Sequence, residues 1–179
     1  MVEYESIDSS FFRDNKLYCE AIESELKSLN IDCEGYCNCF GYKLKSKFER
    51  NNLNYVIQFV KNQTTQNGVF IPIDAHEYAG TELIILGLNH NDKLSVGKST
   101  LLRQFCMKDI KKKISKPYFI RLSSKNDMDF IDNLARIIED NHISRIRLKN
   151  GKLTTTIHES TRDVLKLIND IEYIIKNVS

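Results

Sequence analysis

The chain has 179 residues, a net charge of +2, 41% hydrophobic and 28% charged residues, and only two prolines. That length holds one sizeable core, and the composition excludes a disordered or low-complexity chain. No apolar run approaches membrane-spanning length, and an odd number of cysteines, five, argues against a disulfide framework.

The first residues, with Glu3, Glu5 and Asp8, are acidic where a secretory signal would be basic and then apolar. We therefore expect a cytoplasmic protein with no membrane insertion. Residues 1–12 read as a loosely ordered arm, and 13–179 as a single α+β domain. A helix is expected from Asp14 to Leu29, with Leu17, Tyr18, Ala21, Ile22, Leu26 and Leu29 as its buried stripe. Cys33 to Phe48 reads as extended, Asn51-Asn52 as a turn, and Leu53 to Val60 as a strand. Val69 to Ile73 reads as an edge strand because it contains Pro72, and Leu83 to Leu86 as a further strand. Leu88 to Ser95 is polar enough for a loop. Ser99 to Ile114 has helical spacing through Leu101, Leu102, Phe105, Cys106 and Ile110.

The last third is the most legible. Tyr118 to Leu122 is a strand entered through Pro117, followed by a helix carrying Phe130, Ile131, Leu134, Ile137 and Ile138 on one side, with Asn141 as its stop. Asn150-Gly151 between two alternating runs is a two-residue hairpin loop, because both turn positions need positive φ. The register it dictates sets Lys149 opposite Lys152, Leu148 opposite Leu153 and Ile146 opposite Thr155. One hairpin face is then apolar, with Ile146, Leu148, Leu153 and Ile157. The other carries Arg145, Arg147, Lys149, Lys152, Thr154 and Thr156. Ser160 or Thr161 is placed to cap a closing helix with Val164, Leu165, Ile168, Ile171, Ile175 and Val178 on its stripe. The expected architecture is α+β: a mainly antiparallel sheet, about four amphipathic helices packed on it, and a C-terminal strand-helix-hairpin-helix unit.

Charge is unevenly distributed. Between Lys93 and Lys125 there are ten Lys or Arg against one acid, Asp109, whereas the first 32 residues hold eight acids against three bases. Lys98, Arg103, Lys108, Lys111, Lys112, Lys113 and Lys116 lie along the expected 99–114 helix and its flanks. With Arg145, Arg147, Lys149 and Lys152 of the hairpin they make a candidate surface for polyanions.

Other motifs fail on chemistry or spacing. Val96-Gly-Lys-Ser-Thr100 ends like a phosphate-binding loop, but Asp92 occupies the first glycine position and would repel a phosphate. Gln58 and Lys61 are three apart and fall on opposite strand faces, unlike the paired residues of restriction-type nucleases. Cys33, Cys37 and Cys39 have strand spacing suited to metal ligands, yet three thiolates are one short of a closed zinc site. His76 and His90 sit beside carboxylates in loop-like sequence, but no serine sits in a nucleophile elbow and no H-E-x-x-H spacing exists.

These observations lead us to expect a non-catalytic intracellular binding or protein-interaction module that needs no cofactor, its partner another protein or a second copy. The alternative is a nucleic-acid-binding accessory protein using the 93–125 segment and the 145–152 hairpin face. A small metal-dependent enzyme is the third reading.

Overall fold

The computed structural model describes residues 1–5, 10–62, 78–98, 118–122, 128–158, 161 and 163–178. Nine strands form one sheet: β1 (Val2–Tyr4), β2 (Glu34–Asn38), β3 (Gly41–Arg50), β4 (Leu53–Asn62), β5 (Tyr78–Leu86), β6 (Leu94–Lys98), β7 (Tyr118–Leu122), β8 (Ile143–Lys149) and β9 (Lys152–Ile157). Three helices accompany it, α1 (Ser10–Ser28), α2 (Met128–Asp140) and α3 (Val164–Val178). The spatial order is β1-β2-β3-β4-β5-β9-β8-β6-β7. Every neighbouring pair is antiparallel except β1 and β2. The α+β class and the mainly antiparallel sheet are as expected. The helix total is not: three lie among the described residues, and the one expected over 99–114 falls outside them, as does the expected strand at Val69 to Ile73.

Turn chemistry builds the hairpins. Asn51 and Asn52, at φ 54° and 60°, join β3 to β4, and Asn150 with Gly151, at 54° and 72°, join β8 to β9. Both loops need two consecutive left-handed residues, a conformation that asparagine and glycine adopt at little cost. The β8–β9 register is the one the sequence dictates: Lys149 faces Lys152, Leu148 faces Leu153 and Ile146 faces Thr155.

Alternation then sorts the sheet into a covered and an open face. Tyr42 and Leu44 of β3, Tyr55, Ile57 and Phe59 of β4, Leu83 and Ile85 of β5, Leu153 and Ile157 of β9, Ile146 and Leu148 of β8, and Leu94 and Val96 of β6 are all buried. Helix α1 packs on β2 and β3, α2 packs on β8, and α3 lies against both other helices. Thr155 sits in this covered layer between Leu83 and Ile146, fully buried, its hydroxyl without a hydrogen-bond partner among the described residues. Valine has nearly the same shape and no polar atom to desolvate. Thr155→Val is therefore expected to raise the denaturant midpoint, by about 1 kcal/mol of stability. A loss of similar size would mean that the hydroxyl is satisfied after all.

Four expectations are corrected. Leu94–Lys98 is a strand, although the expected loop ran from Leu88 to Ser95. Leu94 and Val96 alternate into the core, and β6 is paired on both sides, to β7 and to β8. The stripe of α1 is Phe12, Asn15, Cys19, Ile22 and Leu26, leaving Leu17 65% exposed. Helical phase decides this: steps of three and four residues link those five positions, and Leu17 falls outside them. The polar member, Asn15, is satisfied by donating to the Asn38 carbonyl at 2.9 Å. In α3 the cap is Asp163, whose carboxylate accepts from the Lys166 amide at 2.8 Å, and Leu165 is exposed. Glu25 of α1 adds a cap from a distance, accepting from the Val164 amide at 2.6 Å and the Leu165 amide at 3.1 Å. Finally, the stretch expected to be a loose arm contains β1 and the first turn of α1.

No helix among the described residues is long and apolar enough to cross a membrane.

Candidate nucleic-acid interface on the open sheet face

The sheet face opposite the helices collects the cations. Arg145, Arg147 and Lys149 alternate along β8, Lys152 lies on β9, and all four are exposed. No acid lies between Ile143 and Ile157. None of the four cations has a carboxylate within ion-pair distance among the described residues. Arg147, Lys149, Asn150, Lys152 and Thr154 line a shallow hollow of about 230 Å³ at the hairpin tip. The fixed turn makes this clustering obligatory. Lys149 and Lys152 are directly opposed, like charges whose repulsion costs stability.

A second row of cations lies across the face on β3, where Lys43, Lys45 and Lys47 alternate with buried Tyr42, Leu44 and Ser46. The sequence held this signal in plain alternation, but the stretch read only as extended. Strand order puts β4, β5 and β9 between β3 and β8, a separation of about 19 Å at the usual strand spacing, with Lys152 on β9 one strand nearer. Half-buried Val56, Val60 and Ile84 make the floor, with Gln58 beside Glu82. Among the residues whose side chains are described, seven cations on this face meet four carboxylates, Glu3, Glu34, Glu49 and Glu82. Three of the acids stand on β1 to β3, so the hairpin end is the uninterrupted basic region.

The rest of the expected basic surface is not brought into view. Arg103, Lys108, Lys111, Lys112, Lys113 and Lys116 lie outside the described residues, and so does His76. Lys98 closes β6 opposite Tyr118. Its register position matches Leu94 and Val96, not Ser95 and Gly97, which pair with Arg147 and Arg145.

The described cysteines lie on α1, β2 and the segments flanking β2. Cys33 and Cys37 are buried and Cys39 is half-buried. Cys37 meets the thiol of Cys19 on α1. Burial pushes the thiols of Cys19, Cys33 and Cys37 above their ordinary range, which keeps them protonated and inert at neutral pH. Among the described residues no group of three or more His, Cys, Asp or Glu is placed to hold a metal ion.

One polar cluster escaped the sequence reading. Glu172 of α3 is buried, and its Oε1 accepts from the Tyr55 hydroxyl at 2.9 Å and Asn51 Nδ2 at 3.3 Å. Arg50 Nε lies 3.2 Å from the same oxygen, and Arg50 Nη2 donates to Asn169 at 3.1 Å. Burial, followed by the neighbouring carboxylate, raises the Tyr55 hydroxyl above its usual range, so it remains a donor. With three donors on one oxygen, the cluster ties the β3–β4 turn to α3 rather than exposing a proton-transfer group. Its members are scattered over more than a hundred positions of sequence, which is why no local motif announced it.

Searches of protein-family models, curated proteins and solved structures find no match to this chain.

Proposed function

We propose that the chain is a non-catalytic binding module that takes nucleic acid on its open sheet face. The observation that carries this reading is the β8–β9 hairpin, where four cations share one face without a carboxylate partner among the described residues, and three of them, Arg147, Lys149 and Lys152, line a hollow. Such an arrangement attracts phosphates and releases their counterions, a driving force that needs no base contact. The Lys93–Lys125 segment joins the proposal through its charge alone, since most of it lies outside the described residues.

Binding of labelled DNA and RNA over a salt series tests this. If all four hairpin cations contact phosphates of a duplex, log K falls against log salt with a slope of about −3.6. That slope weakens binding on the order of a hundredfold between about 50 and 200 mM salt. Arg145→Glu with Arg147→Glu is expected to make the slope shallower by about 1.8 on a duplex, or about 1.4 on a single strand. Both side chains are exposed, so the melting temperature should stay near that of the parent. An unchanged slope in the variant, or no binding even at low salt, refutes the assignment. The same cations would attract an acidic protein segment, and failure with every nucleic acid would turn the search to that class.

A further inference from the structure

The open face holds more than one hairpin, and its parts differ in a way that bears on which nucleic acid fits. This inference rests on the nucleic-acid reading above and narrows it. The β3 and β8 cation rows stand about 19 Å apart across the sheet. Within a row, successive side chains on one face are roughly 7 Å apart, comparable with successive phosphates of an extended single strand. Between the rows the floor is mixed: Val56 and Val60 on β4 and Ile84 on β5 give it an aliphatic part, flanked by Gln58, Glu82, Thr154 and Thr156. A duplex meets a protein surface with phosphates and sugars, and the aliphatic part offers those groups nothing. The faces of unstacked bases are apolar and suit it.

At mid-floor Gln58 and Glu82 are cross-strand neighbours. A carboxylate there repels phosphates, so a strand that passes from one cation row to the other turns its bases, not its backbone, toward the centre. Gln58 offers an amide donor and acceptor, and Glu82 offers acceptors only. Exocyclic amino groups, such as that of cytosine, donate to a carboxylate, whereas thymine presents a carbonyl at the same position. Tyr36, 46% exposed on β2 and paired with Lys43, places an aromatic ring on the outer side of the β3 row.

We propose that single-stranded nucleic acid crosses the open face, its phosphates on the β3 and β8–β9 cation rows, its bases on the Val56–Val60–Ile84 floor with their edges at Gln58 and Glu82. The occupant is thus a single strand rich in amino-bearing bases.

Fluorescence anisotropy with oligo-dC, oligo-dT and a mixed-sequence duplex of equal length, at constant salt, separates the outcomes. We expect oligo-dC to bind at least about tenfold more tightly than the duplex, with oligo-dT between them. Glu82→Gln should bring oligo-dC and oligo-dT to within about threefold of each other. Lys43→Ala with Lys47→Ala should make the single-strand salt slope shallower by about 1.4. As a check that needs no substitution, bound oligo-dC should protect Lys43 and Lys47 from an amine-modifying reagent. A duplex that binds as tightly as oligo-dC, or Lys43 and Lys47 left fully reactive in the complex, overturns the single-strand assignment while leaving nucleic-acid binding standing. Absence of binding to all three probes removes both.

Discussion

Gly35→Ala is expected to lower the melting temperature by about 10 °C, corresponding to a loss of about 3 kcal/mol or more. Gly35 has φ +151°, outside the range an alanine adopts without strain. A Cβ built there would lie 2.0 Å from the Lys43 carbonyl oxygen and 2.9 Å from the Leu44 Cα, both of them backbone atoms that cannot swing aside. Strand β2 would have to separate from β3, taking β1 with it, because Val2 pairs with Gly35 on the other side. The damage is confined to one edge, since four strands lie between β2 and β8. Hydrogen exchange should therefore quicken in β1 and β2 while the hairpin keeps its protection and its share of oligonucleotide binding. A Gly35→Ala protein that melts with the parent would mean that the β2–β3 approach is looser than these contacts require.

Phe59→Ala is expected to cost about 3–5 kcal/mol, the range for deleting a fully enclosed aromatic side chain. Phe59 is completely buried on β4, between Leu44 on β3 and Thr81 on β5. Its neighbour Val60 lies on the opposite face and is only half-buried. The internal control is Leu17→Ala on α1, where a 65% exposed leucine should change stability by no more than about 0.5 kcal/mol. Chemical denaturation of the two variants side by side gives the comparison. Equal losses would contradict the enclosure of Phe59 in the core or the exposure of Leu17 on the outer side of α1.

What was legible in the sequence follows from how local its cause is. The Asn150-Gly151 turn is set by two residues, and it carries the whole β8–β9 register and the grouping of Arg145, Arg147, Lys149 and Lys152 with it. Strand β6 was illegible because its stability is not local. Five residues containing Ser95, Gly97 and Lys98 have weak strand character, and only pairing to both β7 and β8 holds them extended. The phase of α1 is not legible locally because its stripe passes through Asn15, whose partner, the Asn38 carbonyl, comes from a later strand. Strand β1 is three residues long, too short to show alternation at all. For the candidate site, the hairpin half was readable from alternation and turn chemistry. The β3 half has the same alternation in Lys43, Lys45 and Lys47. Its convergence with the hairpin depends on sheet order, which no local pattern encodes.

The most direct measurement is a map of backbone amide shifts in the isotopically labelled 20.8 kDa chain as a short single-stranded oligonucleotide is added. Perturbations concentrated between Lys43 and Lys47 and between Arg145 and Lys152, and fading as salt is raised, are what the open basic face predicts. Perturbations gathered on α1 and α3, or a spectrum indifferent to the oligonucleotide at low salt, would contradict it.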